Sequence, residues 1–172
     1  LLAFLACSPA LSAVDEASEK AGIVECSPAL LKKHNPALAG KPDTLVCFEA
    51  YVSNFNTARD AGGDGQSDAL GVPHWVVQRV ERTAQAPESR KRPRVWFTIP
   101  SLHKQGLAPT DASYRFTKRF RDRHPNWFER GHLAQKYLAE RMGETAGWFT
   151  HNIANAVPQR SQFNKGPWLT LE

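Results

Sequence analysis

The stretch NWFERGHLAQKYLAE, residues 126–140, decides most of what this sequence predicts. It joins an aromatic, strand-like segment to LAQKYLAERMG, which has the periodicity of an amphipathic helix and a stop signal at Gly143. His132 stands at the junction, directly after Arg130 and Gly131. We expect Gly131 to let the backbone turn beside a groove, so that the imidazole of His132 leaves the strand end facing that groove.

The composition is that of an ordinary globular protein with one domain. The chain has 172 residues, of which 41% are hydrophobic and 23% are charged. Lys and Arg outnumber Asp and Glu by 22 to 17, which gives a net charge of +5. A basic balance of this size mildly favours an anionic partner such as nucleic acid or an acidic surface. The mix of hydrophobic and charged residues argues against a disordered or membrane-embedded chain.

The first residues, LLAFLACSPALSAVDEA, run from apolar to small to acidic side chains. This order is typical of the end of a secretory signal cleaved after Ala10 or Ala13, and a membrane span would need about 20 apolar residues. We therefore expect residues 1–19 to be residual signal and tail, residues 20–172 to be one domain, and the protein to be secreted or periplasmic. Two alternatives stay open, a buried first helix and a lipid anchor through Cys7.

Export would also change the meaning of the other two cysteines, Cys26 and Cys47. Oxidising compartments favour pairing over free thiols, so we expect a Cys26–Cys47 disulfide. Closing a loop of about 20 residues contributes on the order of 3 kcal/mol by constraining the unfolded chain. The alternative is two buried thiols, and no Cys and His spacing in the chain resembles a zinc site.

Four further segments are predicted to be extended or helical. TLVCFEAYVSNF, residues 44–55, reads as one strand, and HWVVQRV, residues 74–80, as another. GWFTHNIANAVPQ reads as an extended run that ends at Pro158. Ser161 is predicted to cap a last helix, QFNKGPWLTLE, whose first turns are made irregular by a Gly and a Pro.

Positive charge concentrates in two runs, SRKRPR at 89–94 and RFTKRFRDRH at 115–124. These runs fit either a solvated surface or a phosphate-binding flank. Phe116, Phe120 and Trp127 interleave with the charges at near-helical spacing. That spacing favours a place in the core over a role as base-stacking platforms.

Taken together, ERGHLA and NAVPQRSQFNKGPWLTLE resemble the DNA/RNA non-specific endonucleases of the ββα-metal fold, the sugar-non-specific nucleases related to mitochondrial endonuclease G. The family pattern runs from D-R-G-H to an N-x-x-P-Q strand end, then to N-x-G-x-W and a Glu on the helix. In this chain the steps fall on His132, Asn155, Asn164 and Glu172. The resemblance is specific over residues 126–172 and looser over the preceding strands.

The resemblance implies an α+β fold with a central, mostly antiparallel sheet that carries a β-β-α metal-binding finger. Family members continue beyond the position of Glu172, so we expect the domain to be incomplete at its C-terminus. Two positions depart from the family pattern. Glu129 replaces the usual Asp, and Leu-Ala-Gln at 133–135 replaces a small residue and Pro, which we expect to alter the support of the site.

The implied activity is hydrolysis of phosphodiester bonds in DNA and RNA with little sequence specificity. His132 would be the general base, because an imidazole with a pKa of about 6.5 is largely neutral above pH 7 and can accept a proton from water. Asn164 would hold one divalent metal per active site, Mg²⁺ or Mn²⁺, since hard ions take oxygen ligands and keep several waters. Glu172, about 12 Å further along an ideal helix, would reach the waters of the metal.

Other roles follow from the same resemblance. Arg130 and Arg90 would bind phosphate oxygens in the fork geometry of a guanidinium, and Asn155 would orient the histidine or the substrate. His151 is interpreted as structural, because alternation within its strand does not direct it to the site. The expected partners are DNA and RNA, contacted through phosphates, and an inhibitor or immunity protein is a further candidate. The oligomeric state stays open.

Two alternative functions remain. A catalytically impaired, basic nucleic-acid-binding module of the same fold would keep the surface and lose the chemistry. The presence of His132, Asn164 and Glu172 argues against it, and a magnesium-dependent plasmid nicking assay separates the two. An HNH-type nuclease would need a second histidine on the last helix, and the segment after Ser161 has none.

Overall fold

The computed structural model describes residues 14–34, 43–58, 71–80, 92–124, 127–143 and 145–171. Five residues named above lie outside these ranges, so the predictions that rest on them stay predictions: Cys7, Ala10, Ala13, Arg90 and Glu172. Within the described ranges, no helix is long and apolar enough to cross a membrane.

Helices and antiparallel strands alternate along the chain, which confirms the predicted α+β class. The strands are β1 (Thr44–Cys47), β2 (Val52–Phe55), β3 (Pro73–Val77), β4 (Phe128–His132) and β5 (Ala156–Arg160). The helices are α1 (Glu16–Lys20), α2 (Pro28–His34), α3 (Pro100–Lys104), α4 (Lys118–Arg123), α5 (Lys136–Glu140), α6 (Ala146–Phe149), α7 (Ser161–Phe163) and α8 (Leu169–Leu171). Two 3-10 turns occupy Asp111–Tyr114 and Ile153–Asn155, and a π-type turn, Asn164–Trp168, joins α7 to α8.

The described strands form two sheets, and the predicted antiparallel character holds for both. β1, β2 and β3 make a three-stranded antiparallel sheet, and β4 pairs with β5 in a separate antiparallel hairpin. The 3-10 turn before β5 lies between them, where the Ser53 hydroxyl on β2 donates to the carbonyl of Ala154 at 2.6 Å. A side-chain hydrogen bond therefore joins the two parts here in place of a backbone ladder.

The predicted single strand at 44–55 is a hairpin of β1 and β2. Its turn is closed by the amide of Phe48, which donates to the carbonyl of Tyr51 at 2.9 Å. The two aromatic rings stack at 4.3 Å between centroids, and both side chains are buried. The run stays apolar through the turn because the turn residues Phe48 and Tyr51 also belong to the core. The strand predicted at 74–80 is confirmed in its first half by β3.

The segment before β5 is predicted to be extended from Gly147, and that prediction is wrong over 147–155. It forms α6 and a 3-10 turn, and only from Ala156 does the chain become a strand. Side-chain amides stabilise the turn, because Asn152 accepts from the amide of Ala154 at 2.9 Å. Such local bonds compete with strand pairing.

The last helix is irregular as predicted, with non-helical angles at Gly166 (φ −110°, ψ −106°) immediately before Pro167. Ser161, however, is the first residue of α7, and Arg160 occupies the cap position. The Ser161 hydroxyl instead accepts a hydrogen bond from the Lys165 ammonium at 3.3 Å.

The predicted disulfide is present and links Cys26 to Cys47 at the end of β1, with 5.3 Å between the Cα atoms. Val24 also pairs with Cys47 through backbone hydrogen bonding, which fixes the N-terminal segment to the sheet. The largest fully buried core side chains include Tyr51, Phe55 and Ile153. The core therefore joins the three-stranded sheet to the chain that enters β5.

Candidate active site

β4, β5 and α7 form a hairpin followed by a helix, and they bring residues far apart in sequence to one cavity of about 620 Å³. In the β4–β5 register, His132 lies opposite Ala156 and Phe128 opposite Arg160. The helix therefore begins at the far end of the hairpin from His132. The residues lining the cavity are Arg92, Pro93, Trp96, Tyr114, Arg115, Phe116, Arg121, Trp127, Glu129, Arg130, His132, His151, Asn164, Lys165 and Leu169.

His132 is the last residue of β4 and its side chain is buried in the cavity wall. Its ring packs against Trp96 at 4.5 Å and perpendicular to His151 at 4.8 Å between centroids. Nε2 of His132 is buried and has no hydrogen-bond partner among the described residues. An imidazole nitrogen that is neither solvated nor bonded is suited to bind a small polar group that enters the cavity.

Burial lowers the pKa of His132 well below its ordinary 6.5, and nearby His151 lowers it further, followed by more distant Arg92, Lys136 and Arg130. Removing a cation from water is unfavourable, and adding positive neighbours makes protonation harder. The pKa of His132 is therefore lower than the ordinary histidine value that the sequence suggested. The ring is neutral through a wider pH range than the sequence suggested, which is the form that accepts a proton.

Gly131 is required by close packing rather than by a turn. A Cβ atom at this position would lie 2.3 Å from Oε1 and 2.7 Å from Cβ of Gln159 on the paired strand. Gly131 is not among the glycines with positive φ, which are Gly22, Gly71 and Gly106. The predicted turn is thus a regular strand, and His132 faces the cavity because of strand alternation and pairing.

Arg130 lines the cavity and is held in place by Asp111, which the sequence did not suggest. The two form an ion pair without regular hydrogen-bond geometry, and the Arg130 guanidinium lies 5.4 Å from the centre of the Trp96 ring. The buried Asp111 carboxylate also accepts from the amide of Trp96 at 3.0 Å and from Nε of Arg115 at 2.6 Å. Burial lowers the pKa of Arg130, but a guanidinium stays protonated in proteins.

Asn155 is fully buried, and its side chain bonds only to backbone groups. Its Oδ1 accepts from the amide of Ala134 at 2.6 Å, and its Nδ2 donates to the carbonyls of Ala134 at 2.9 Å and Thr150 at 3.0 Å. Its own carbonyl accepts from the amide of Leu133 at 3.1 Å. Asn155 therefore holds the two residues that follow His132 and is not part of the cavity wall.

Asn164 and Glu129 meet across the hairpin and the helix. Nδ2 of Asn164 donates to Oε2 of Glu129 at 3.1 Å, and Oε1 of Glu129 pairs with the Lys165 ammonium at 2.5 Å. The amide is thereby oriented with its nitrogen committed to Glu129. Across the described part of the chain, no group of three or more His, Cys, Asp or Glu side chains is arranged to hold a metal ion.

His151, which we interpreted as structural, lies in the cavity wall beside His132. Nδ1 of His151 is 3.2 Å from the carbonyl of Trp148, and its buried Nε2 has no partner among the described residues. Burial lowers the pKa of His151 to about 4, although hydrogen bonding to Trp148 opposes the shift. The structure thus places two neutral histidines side by side, where the sequence motif drew attention to one.

Three other residues of the site were missed. Trp96 lines the cavity, and Asp111 does not line it but pairs with Arg130. Both lie in segments with no recognisable motif, and only their contacts with Arg130 mark them. Arg92 belongs to the basic run in which we chose Arg90, so the signal was present but did not distinguish between neighbouring arginines.

The prediction that Phe116, Phe120 and Trp127 lie in the core is wrong. α4 buries none of its residues, and Phe120 is 38% exposed. Phe116 and Trp127 line the cavity instead. Helical spacing arises equally well when aromatic side chains stack along an exposed helix, so spacing alone could not separate the two cases.

A model of the DNA/RNA non-specific endonuclease family matches residues 46–172. The match covers well over half of the chain and all of β4, β5 and α7, so this protein belongs to the DNA/RNA non-specific endonuclease family. Endonuclease families act on nucleic acids as hydrolases, which agrees with a deep basic cavity. No curated protein matches the sequence significantly.

Proposed function

We propose that this protein is a metal-dependent endonuclease that hydrolyses DNA and RNA with little sequence specificity. In this proposal β4, β5 and α7 are the ββα-metal finger, and His132 is the general base. The observation that carries the proposal is the buried, unpartnered Nε2 of His132 in the same basic cavity as Asn164.

The neutral imidazole of His132 accepts a proton from the attacking water at Nε2. Its lowered pKa keeps this nitrogen unprotonated at neutral pH, so the base is ready without a prior deprotonation. Asn155 positions the base from behind, because it fixes the backbone of Leu133 and Ala134 immediately after it. Of the two roles predicted for Asn155, orienting the histidine is the one that its burial supports.

The cationic wall binds the scissile phosphate. Arg130 can do so while paired with Asp111, since a guanidinium has five N–H donors and one carboxylate does not use them all. Arg92, Arg115, Arg121 and Lys165 line the same cavity. Arg90 remains a proposed phosphate ligand outside the described residues. Contacts to phosphates carry no sequence information, so DNA and RNA are both accepted.

Asn164 fits a hard divalent cation such as Mg²⁺, because its Oδ1 is an oxygen ligand at the cavity, while both carboxylate oxygens of Glu129 are engaged by Asn164 and Lys165. When bound, the metal would neutralise charge on the phosphate and on the departing oxygen. Asn164 would hold it directly through Oδ1, since Nδ2 is engaged by Glu129. Glu172, outside the described residues, would act through a water.

The proposal includes export of the protein from the cytoplasm. The Cys26–Cys47 disulfide fits an oxidising compartment, and the signal-like first residues lie outside the described part of the chain. We propose a secreted or periplasmic enzyme with residues 20–172 as its nuclease domain. An inhibitor protein and the oligomeric state are matters for direct measurement.

A plasmid nicking assay tests the function. Purified protein with Mg²⁺ or Mn²⁺ should convert supercoiled DNA to open-circular and linear forms and should degrade RNA, and a chelator should stop both reactions. Tyr137→Leu, an exposed aromatic change outside the cavity, should cleave like wild type. Binding of nucleic acid without cleavage under any of these metals would instead support the impaired binding module.

A further inference from the structure

An exposed stack of aromatic rings runs along α4. Phe116 stacks on Phe120 with 4.9 Å between ring centroids and an 18° interplanar angle, and Phe120 stacks on His124 at 4.2 Å and 30°. We call Phe116, Phe120 and His124 the α4 ladder. The helix has no buried residue, so the ladder is not explained by core packing.

The inner end of the α4 ladder belongs to the cavity. Phe116 lines the cavity wall and meets Trp127 edge-on at 6.5 Å. The ring of Trp127 is in turn covered by two cations, with Arg121 at 5.3 Å and Lys165 at 5.1 Å from its centre. From this point the ladder leads away from the candidate active site to the exposed ring of His124.

Basic side chains accompany the rings. Arg119 and Arg123 on α4 are both exposed. Residues three or four apart on a helix are neighbours, so Arg123 lies next to Phe120. Neither arginine forms an ion pair with a carboxylate of the described residues, whereas Lys118 pairs with Asp122 at 2.6 Å. The surface therefore combines stacked rings with two arginines that no carboxylate in the described part of the chain neutralises.

We propose that the α4 ladder binds unpaired bases of single-stranded nucleic acid and leads the strand into the cavity. The proposal rests on nucleic acid being the ligand of that cavity, and it adds a preference for unpaired over duplex substrate. Phe120 is stacked between Phe116 and His124, so the free ring faces are those at the two ends of the ladder, and the ring of Phe120 holds them in place. Free ring faces bind bases of any identity by stacking, and flanking cations hold the backbone. Duplex DNA keeps its bases stacked inside, so it can use the cations but not the rings. The positive charge argues against an apolar protein partner as the occupant.

The test is an equilibrium binding measurement by fluorescence anisotropy, with the full chain and a chelator present so that no cleavage occurs. The probes are a labelled oligothymidylate of about 12 nucleotides, within the site sizes usual for such surfaces, and a duplex of the same length at the same salt concentration. Phe120→Leu keeps an apolar side chain and removes the ring. It should weaken binding of the single strand by roughly fivefold or more, with a much smaller loss for the duplex.

Two further variants control the comparison. Phe120→Tyr keeps a ring and should restore most of the affinity for the single strand. Tyr137→Leu removes an equally exposed ring on α5 and should leave both affinities unchanged. Circular dichroism confirms that each variant is folded, which is expected because position 120 is exposed.

Three outcomes overturn the proposal. They are an unchanged single-strand affinity in Phe120→Leu, an equal loss for single strand and duplex, and a failure of Phe120→Tyr to restore binding. The nicking assay separates this result from the proposed function. If wild-type protein nicks plasmid and Phe120→Leu binds the single strand normally, the ladder is refuted and the nuclease function stands. If wild-type protein binds single strands through the ladder but never cleaves, the nuclease function is refuted and the ladder stands.

Discussion

The β4–β5–α7 unit and helix α4 contribute to the same cavity by opposite structural means. In the first, polar side chains are buried and fixed by neighbours, as Asn155 is by three bonds to backbone groups. In the second, no residue is buried and the rings contact mainly one another. Buried polar groups with defined partners give precise placement, and exposed rings give an adaptable surface. We therefore expect substitutions in the first region to alter chemistry and stability, and substitutions in the second to alter binding alone.

The largest effect should follow from His132→Ala. Removing the general base should lower the cleavage rate by about two to four orders of magnitude, while binding of nucleic acid is nearly retained because the arginines remain. Asn164→Ala should be comparably severe, since it removes the proposed direct metal ligand. Cleavage rates and binding constants of both variants beside wild type provide the measurement. Near-wild-type turnover of His132→Ala would remove the histidine from the mechanism.

The pH profile checks the same residue without mutation. Because the pKa of His132 is lowered well below 6.5, kcat/KM should already be on its plateau near pH 6.5 and fall only in more acidic buffer. This departs from the rise through an ordinary histidine titration that the sequence suggested. A profile that climbs steeply between pH 6.5 and 8 would mean that another group limits the rate.

The sequence alone predicts some residues of the candidate active site and misses others. His132 and Asn164 stand in a spaced motif, and the structure brings both to one cavity. Asp111 pairs with the cavity residue Arg130 from a 3-10 turn, and His151 lines the cavity from the chain after α6. In both cases tertiary packing decides the position, and no local sequence pattern records it. For the fold, a run of β-branched and aromatic residues identified β3. The apolar alternation over 44–55 hid the turn between β1 and β2, because Phe48 and Tyr51 are apolar residues used in a turn.

His151 should affect the stability of the fold. Its folded-state pKa of about 4 lies below its ordinary 6.5, so the unfolded chain binds the proton more tightly. The stability that neutral His151 contributes is fully present above pH 6.5. As the pH falls towards 4, the free energy of unfolding decreases by about 3 kcal/mol because the unfolded chain takes up the proton. Urea unfolding at several pH values measures it. His151→Phe should show a shallower decline over this range, and an identical decline in both proteins would mean that other groups cause it.

A smaller effect is expected from Glu129→Gln. The substitution keeps the size of the side chain but removes the charge that holds Asn164 and pairs with Lys165. Loss of a residue that holds a metal ligand, and does not touch the metal itself, typically costs about 10- to 100-fold in metal affinity or activity. A Mg²⁺ titration of the cleavage rate should show partial recovery at high concentration. Complete loss without recovery would make Glu129 a direct ligand.

The smallest effect should come from α4 and should appear in the salt dependence of binding. Arg123 is exposed, pairs with no carboxylate of the described residues and adjoins Phe120. If it contacts one phosphate of a bound single strand, Arg123→Gln removes the release of one condensed counterion, and the slope of log K against log salt should become shallower by about 0.7. The unfolding midpoint should not change, because no buried contact is lost. Anisotropy titrations over a range of salt concentrations measure the slope, and Lys118→Gln is the matched control, since Lys118 is already paired with Asp122. An unchanged slope for Arg123→Gln would show that strands do not follow α4, whereas a lowered unfolding midpoint would show that this helix is more than a binding surface.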